Sequence, residues 1–349
     1  MSPLRVLAVA AASLALVVPA GAAAAPSHPD VTVMSRNLYL GADIITAATA
    51  TDRDQLRQRA AALFGVVRQT NFPLRARAIA REIRATRPDL IGLQEVALWR
   101  RTAPGVTNDV RDARVVVYDF LALLRRALAA RGLRYRASVV QREADFEVPT
   151  SLGFDVRLTM RDVILARTAK RARVQIRGTR KGTYASLLTV GLPTGPVSSV
   201  RGWTAVDATV RSRRFRFVNT HLEAYGGEIR ERQAAQLLRG PLRSRSRQAI
   251  LVGDLNSAPG DVGAEGLALQ AVVGAGFVDA FPAAPPTDGQ DERLDNPVSK
   301  LTRYIDHILS RPRLRAIRAR VVGDRSRDRI GGLWPSDHAG TVATLRLRR

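Results

Sequence analysis

The sequence contains no cysteine among its 349 residues. Disulfide bonds, thiolate nucleophiles and cysteine-ligated metal sites are therefore excluded. Histidine is scarce, with four residues, and aromatic residues make up only 5% of the chain. After residue 25 no apolar run approaches the roughly 20 residues that a membrane-spanning helix needs. The apolar content of 46% is ordinary, so the chain is expected to bury a globular core without covalent cross-links.

Acidic residues are few relative to basic ones. The chain has 31 Asp and Glu against 55 Lys and Arg, a formal net charge of +24. Such a field attracts polyanions or anionic membrane surfaces. Lysine occurs only at Lys170, Lys181 and Lys300, and this preference for arginine, with abundant alanine, is typical of a GC-rich genome. The charge therefore supports an anionic partner without identifying it.

The N-terminus has the pattern of a secretory signal peptide. Arg5 precedes a nearly continuous apolar run over residues 6–20, and small residues follow, with an Ala-x-Ala cleavage site at Ala23–Ala25. A membrane anchor is the alternative, but the apolar run is shorter than a spanning helix. We expect residues 1–25 to be a signal peptide and residues 26–349 to form one exported, extracellular domain, a monomer.

Strand and helix patterns alternate along residues 26–349. Helices are predicted at 53–68, 73–86, 115–130 and 228–238, and apolar segments between them predict buried strands. The basic, glycine-rich segment 170–200 is predicted to be a long hairpin or a flexible insertion, and residues 321–335 mostly loop. Because no long linker interrupts the pattern, a single mixed α/β domain is favoured over two.

One stretch carries the clearest chemical signal. Residues 250–253 are apolar and predict a buried strand, after which the chain turns polar at Asp254 and Asn256. Residues two apart in extended backbone point to the same side. A carboxylate and a carboxamide placed there suit a hard cation and a phosphate oxygen. Turn formation alone is the alternative explanation, since Asp and Asn are common where strands end.

Similar junctions recur and together indicate phosphate-ester hydrolysis. Glu95 follows a second apolar strand and offers a carboxylate to Mg²⁺. His338 suits a general base near neutral pH, and Asp306 suits the carboxylate that orients its imidazole. Donors to the phosphate are expected at strand ends elsewhere, from His221, Asn37 and Asn256. A zinc site is less favoured, because no His-x-x-x-His pair exists.

These segments resemble the motifs of the endonuclease/exonuclease/phosphatase superfamily, including its DNase I-like and sphingomyelinase-like branches. They occur in that family's order and extend over residues 31–347. The matching motifs are Ser35-Arg-Asn37, Leu93-Gln-Glu95, Asn219-Thr-His-Leu222, Gly253-Asp-Leu-Asn256, Tyr304-Ile-Asp306 and Ser336-Asp-His338.

The resemblance implies a four-layer α/β sandwich, with two mixed β-sheets packed face to face and helices outside. It implies a phosphoester hydrolase that uses Mg²⁺, with Mn²⁺ or Ca²⁺ as alternative ions. By motif, the resemblance places Glu95, Asn37 and Asp337 at the metal. It makes His338 the general base and Asp306 the carboxylate that orients it. Asp254 would position water or the leaving group, and Asn256 and His221 would bind the scissile phosphate, with Asn37 as a further substrate contact.

Two positions depart from the family pattern. His307 follows Asp306 where a bulky residue such as Tyr is usual, and alternation along the strand should place His307 on the opposite side. Ala166 lies in a segment, 162–167, that resembles a family strand ending in Ser-Arg, so no catalytic role is assigned there.

Export and positive charge favour a nuclease acting on DNA or RNA. A sphingomyelinase-like lipid phosphodiesterase at an anionic membrane and a phosphatase acting on small phosphate monoesters are the alternatives. The lipid branch usually has exposed apolar docking loops, and no Trp- or Phe-rich hairpin is evident. A non-catalytic nucleic-acid-binding module is less favoured, because every key position is filled.

Overall fold

A computed structural model describes residues 28–108, 110–168, 173–244 and 248–348. The predicted signal peptide, residues 1–25, lies outside this part of the chain. None of the helices in the described ranges is long and apolar enough to cross a membrane.

Strands account for most of the regular structure. In chain order they are Asp30–Asn37 (β1), Leu90–Gln94 (β2), Leu98–Arg101 (β3), Val115–Asp119 (β4), Tyr135–Pro149 (β5), Asp155–Arg167 (β6), Val174–Thr183 (β7), Leu188–Leu192 (β8), Gly195–Ser199 (β9), Gly202–Val210 (β10), Arg213–His221 (β11), Gln248–Asp254 (β12), Val278–Asp279 (β13), Asp306–Arg311 (β14), Arg315–Val322 (β15) and Gly340–Arg346 (β16).

The helices are shorter in total and lie between the strands. They are Ile45–Ala48 (α1), Arg53–Gln69 (α2), Phe72–Thr86 (α3), Phe120–Ala129 (α4), Gly227–Arg239 (α5) and Leu267–Gly274 (α6), with single 3₁₀ turns at Gly263–Glu265 and Ser326–Asp328. The side chains of Asp52, Asn71 and Asp119 accept backbone N–H groups at the starts of α2, α3 and α4, which satisfies donors that a helix leaves unpaired.

Two large mixed sheets form the centre of the fold. The first has the order β15-β16-β1-β2-β6-β3-β4, with β5 also paired to β6, and the second has the order β13-β14-β12-β11-β10-β7. Each contains one parallel pair, β1–β2 in the first and β11–β12 in the second, and its other pairs are antiparallel. Strands β8 and β9 form a separate two-stranded hairpin.

The sheets pack face to face, and helices cover their outer faces. Alternate residues of β1 divide between two cores, with Val31 and Val33 facing the second sheet and Met34 facing α2, α3 and α4. Helices α5 and α6 cover the second sheet through a third apolar cluster. The predicted four-layer α/β sandwich is therefore confirmed.

Gly92 in β2 sets how closely the two sheets approach. A methyl group on its Cα would lie 2.5 Å from the Asn219 side-chain oxygen and 2.6 Å from a Val252 methyl group. Asn219 uses this close approach to bond across the sheets, since it accepts from the Gln94 amide at 2.5 Å and donates to the Leu93 carbonyl at 3.2 Å. The sheets are thus held in register next to the strand ends.

Two local predictions need correction, at residues 115–119 and at Asn256. Residues 115–119 form β4 rather than the first turn of a helix, which begins at Phe120. The segment 321–335 is mostly loop as predicted, apart from the last two residues of β15. In the described part of segment 170–200, β8 and β9 form a hairpin, one of the two alternatives predicted, and β7 is an edge strand of the second sheet. Asn256 has a left-handed backbone, with φ of +49°, so it does not extend the strand beside Asp254.

Candidate active site

The predicted residues meet because the strands that carry them end at the same edge. Strands β1 and β2 are parallel neighbours, and Asn37 is paired with Gln94. Asn37 and Glu95 therefore lie side by side at the same end of the first sheet. In the second sheet His221 is paired in register with Asp254. Asp254 is in turn paired with Asp306 on β14. The site thus lies between the two sheets, at the carboxyl ends of their parallel pairs.

Asn37 joins the two halves of the site. Its side-chain amide donates to Glu95 Oε1 at 3.2 Å and to Asp254 Oδ2 at 3.1 Å. Its own oxygen accepts the backbone N–H of Tyr39 at 2.9 Å, which fixes the orientation of the amide. Glu95 Oε2 accepts the Leu40 N–H at 2.7 Å. Both carboxylates are therefore held in place while keeping lone pairs for a ligand.

His338 and Asp306 form a buried imidazole–carboxylate pair. His338 Nδ1 lies 2.8 Å from Asp306 Oδ2. Its Nε2 is 3.5 Å from Asp288, 3.8 Å from Asp254 and 3.9 Å from Asp337. Burial alone would lower the pKa of His338, but these four carboxylates raise that pKa well above its usual value.

His221 has the opposite electrostatic surroundings. It is buried, and an Arg201 guanidinium nitrogen lies 2.9 Å from its Nδ1. Burial, Arg201 and His338 lower the pKa of His221 well below its usual value. A neutral imidazole that accepts from Arg201 at Nδ1 carries its proton on Nε2, which is 3.5 Å from Asp254 Oδ2.

Two carboxyl groups in the site have raised pKa values, so their ionised forms are disfavoured. Burial raises the pKa of Asp254 to about 7 despite the nearby His338, and Asp306 and Asp288 add to the rise. Burial likewise raises the pKa of Asp337 to about 7. Carboxylates and an amide oxygen are hard donors of the kind that Mg²⁺, Mn²⁺ and Ca²⁺ accept. The residues present therefore fit a divalent cation, whose charge would relieve this repulsion.

The most compact group of possible ligands is Asp254, Asp306 and His338, with one donor atom from each within 4.8 Å of the others. Asp306 and His338 already bond to each other through Oδ2 and Nδ1. A cation there would have to compete with that bond. Glu95 also accepts two hydrogen bonds, one at each oxygen, but each oxygen keeps a further lone pair that a cation could use.

Asn256 supports the loop after β12. Its backbone N–H donates to Asp254 Oδ1 at 2.9 Å and its side-chain amide donates to the Leu222 carbonyl at 3.0 Å. The predicted position near Asp254 is confirmed, but the positive φ, rather than strand alternation, brings it there.

His307 lies on the other side of β14, as alternation predicts. It is fully buried, with Nδ1 2.7 Å from Asp279 Oδ2 and Nε2 2.9 Å from the Ser257 carbonyl. Its edge packs on the Tyr304 ring. Both ring nitrogens have structural partners. Ala166 packs between the two sheets, away from the polar cluster.

Several site residues were not predicted from the sequence. Asp288 reaches the site because residue 288 forms isolated bridges with Arg303 and His338. Arg201 precedes β10 and lies between His221 and Glu223, whose carboxylate is 3.7 Å from its Nε. Both come from segments without a strand or helix pattern, so no periodicity in the sequence indicated them.

Comparisons with known proteins agree with this geometry. The model of a family described as the Endonuclease/Exonuclease/phosphatase family matches residues 67–338. An endonuclease/exonuclease/phosphatase family protein from Bacteroides thetaiotaomicron has a similar structure, at 18% identity and a TM-score of 0.57, covering 92% of this chain and 98% of its own.

Two further structures have the same fold. A mannosyl-6-phosphatase from Bacteroides thetaiotaomicron is 19% identical with a TM-score of 0.55, covering 90% of this chain and 99% of its own. A D. rerio TDP2 complexed with single strand DNA product is 14% identical with a TM-score of 0.53, covering 91% and 99%. The search of curated proteins found no match to the sequence.

Proposed function

Because the chain belongs to the endonuclease/exonuclease/phosphatase family of phosphoester hydrolases, we propose that its strand-end cluster is a divalent-metal-dependent active site. The observation that carries this proposal is the Asn37 bridge. One amide contacts both Glu95 and Asp254, so residues more than 200 positions apart share one small site.

Glu95 and Asn37 are the residues that we propose to hold the cation, with Asp337 in support. Because the Asn37 oxygen accepts the Tyr39 N–H here, the amide would have to turn to present that oxygen to the ion. Mg²⁺ is the favoured ion, with Mn²⁺ or Ca²⁺ as alternatives, because the donors are oxygens. When bound, such an ion polarises the phosphoryl oxygens and stabilises negative charge on the leaving oxygen.

His338 is the proposed general base. With its Nδ1 proton donated to Asp306, the lone pair of Nε2 is directed towards the cleft and can take a proton from water. A cation held beside Asp337 would offset one of the four carboxylates that raise the pKa of this imidazole, which would favour its neutral, proton-accepting form.

The scissile phosphate is proposed to bind between His221 and Asn256. The neutral His221 offers an Nε2 proton, and such a fixed donor stabilises charge that develops on a phosphoryl oxygen. Asn37 is a further contact to the substrate. Asp254, held by Asn37 and Asn256, is placed to orient water or the leaving group.

A nucleic acid is the substrate that the net charge favours, since a field of +24 attracts polyanions. The TDP2 structure with a DNA product shows that this fold accommodates single-stranded DNA in that protein. A small phosphate monoester is the alternative substrate, because a mannosyl-6-phosphatase has a similar structure. Export of the protein and a monomeric state are further proposals, the former based on residues 1–25.

The test is a substrate panel with Mg²⁺ or EDTA, comprising plasmid DNA, RNA, sphingomyelin, a sugar phosphate and methyl 4-nitrophenyl phosphate. We expect hydrolysis that EDTA abolishes. Activity that survives EDTA would contradict the metal mechanism. DNA binding without hydrolysis of any ester would instead favour a non-catalytic binding module.

Replacement of the base gives a second test. His338→Ala should lower kcat by about 10²–10⁴-fold, the usual contribution of a general base, and should leave the circular dichroism spectrum unchanged. His28→Ala, an exposed histidine that belongs to none of the motifs and does not line the cleft, is the matched control. Equal kcat for both variants would overturn the assignment of His338.

A further inference from the structure

The active-site cleft does not end at the polar residues. A continuous cavity of about 400 Å³ runs from Glu95, His221 and His338 into a region lined almost entirely by apolar side chains. Cavities of this size hold small organic ligands. None of the proposed catalytic roles uses the apolar part.

The hairpin β8–β9 forms one wall of this apolar region. Leu188, Val190 and Leu192 alternate along β8 and are half-buried against the cavity, whereas the intervening Thr189 and Gly191 are exposed. Val197 of β9, the register partner of Val190, lines the cavity as well. The hairpin therefore presents an apolar face inward and a polar face to solvent, although it pairs with neither large sheet.

The opposite walls come from α1 with the residue before it and from the paired strands β5 and β6. Their lining residues include Ile44, Ala48, Phe146, Leu158 and Met160. Leu158 and Met160 belong to the first apolar core. Trp99 lies behind them and donates its ring N–H to the Leu40 carbonyl, so its ring is fixed.

These walls suit a hydrocarbon chain better than a nucleotide. Stacking platforms for bases are exposed aromatic faces beside basic grooves. Tyr225 is one exposed aromatic residue in the lining, but the walls formed by β8, β9, β5, β6 and α1 are mainly aliphatic. An apolar cavity excludes water and takes up apolar molecules. Continuity with the catalytic cluster means that such a group and the scissile phosphate can belong to one molecule.

We propose that the substrate is an amphiphilic phosphoester whose aliphatic chain occupies this cavity while its phosphate lies between Glu95, His221 and His338. The proposal rests on the proposed phosphoester hydrolysis. Water oxygen bonds to phosphorus, one phosphorus–oxygen ester bond breaks, and the leaving alcohol gains a proton. The chain stays on the phosphate or leaves with the alcohol, and neither case changes the binding argument.

A series of alkyl 4-nitrophenyl phosphate diesters, from methyl to octyl, tests the proposal with one leaving group and monomeric substrates. The value of kcat/KM should rise about fourfold per added methylene until the cavity is full, because each buried methylene is worth that much in binding. A flat series would overturn the proposal. Failure of every diester of the series and of every ester in the substrate panel, all with Mg²⁺, would instead overturn the proposed function.

Variants of the hairpin locate the effect. Val190→Ser and Leu192→Ser should lower kcat/KM for the octyl diester at least tenfold and leave the methyl diester within twofold. Ile317→Ser is the matched control, since Ile317 is 42% exposed on β15 and lies outside the cavity. Equal losses for methyl and octyl diesters would contradict the assignment of the cavity.

A variant whose larger side chain fills part of the cavity provides the converse test. Ala48→Phe should shorten the chain length at which kcat/KM stops rising, without affecting the methyl diester. Sphingomyelin and a lysophospholipid in detergent then show whether a two-chain or a one-chain lipid is preferred. A higher kcat/KM for plasmid DNA than for the octyl diester would overturn the amphiphilic substrate and leave the proposed hydrolysis intact.

Discussion

Arg201 connects the catalytic cluster to a group of buried acids behind it. Its guanidinium contacts His221 Nδ1 and lies near Glu223, and it attracts Glu143 and Asp162 electrostatically. Removing one partner of a buried charge network leaves the others uncompensated. Arg201 is therefore a positioning residue for His221 as well as a counter-ion for the acids.

Arg201→Met should lower kcat by about 10–100-fold, as loss of an orienting partner usually does, and lower the free energy of unfolding by about 3–5 kcal/mol. The pKa of His221 should rise, because one cause of its depression is removed, and a new acid limb should appear in the pH profile of kcat. Arg180→Met, 60% exposed and paired with Asp207 at 3.8 Å, is the control. An unchanged pH profile would show that Arg201 is only structural.

Glu143 makes stability depend on pH. Burial raises its pKa from 4.5 to about 8, so between these values the folded state binds a proton that the unfolded state has lost. Stability from this group therefore falls as pH rises from 4.5 to 8. Glu143→Gln should reduce that fall, measured as urea midpoints at pH 5 and pH 9. Glu228→Gln, at an exposed position, should change neither urea midpoint. If Glu143→Gln left the pH dependence of stability unchanged, the raised pKa of Glu143 would be contradicted.

At the scale of single residues the sequence was informative wherever a polar residue lay next to an apolar strand. Asn37, Glu95, His221 and Asp254 lie at the ends of such strands and His338 shortly before one, and the structure brings all five into one cluster. Their catalytic roles stay predictions. Arg201 and Asp288 were missed because each lies outside the predicted strands, where neighbours in sequence carry no information about neighbours in space.

Among the elements, β2 has the tightest packing constraint. Gly92→Ala would place a methyl group against Asn219 and Val252, so we expect a loss of about 1–3 kcal/mol in unfolding free energy from overpacking. Urea denaturation measures it. Gly191→Ala in β8, where no atom lies within 4 Å of an added methyl, should stay within about 0.5 kcal/mol. Similar losses of unfolding free energy in the two variants would refute the claim that Gly92 sets the separation of the sheets.

Element prediction succeeded for segments with a clear apolar face and failed where composition hid it. Helices α2 and α3 were predicted to within one residue at each end. Strand β4, Val115–Asp119, was read as helix because it continues directly into α4. Strand β15 was not predicted because its first six residues, mostly arginine and alanine, are all exposed, so the sequence shows no buried face.

For the molecule as a whole, the net charge of +24 predicts salt-sensitive binding to any polyanion. We expect the affinity for single-stranded DNA to fall more than tenfold between 50 and 200 mM NaCl, the loss for about three phosphate contacts. Fluorescence anisotropy measures it. Hydrolysis of methyl 4-nitrophenyl phosphate should change less than twofold over the same range. DNA affinity that is independent of salt would rule out an electrostatic origin.

The pairing of β1 with β16 joins the two ends of the described chain, from Asp30 opposite Arg346 to Ser35 opposite Thr341. Without β16, β1 would have one unpaired edge. His338 lies two residues before β16. A polypeptide that stops before residue 338 would therefore lack both this pairing of the first sheet and the proposed general base. One short segment thus couples the closure of the sheet to the completeness of the site.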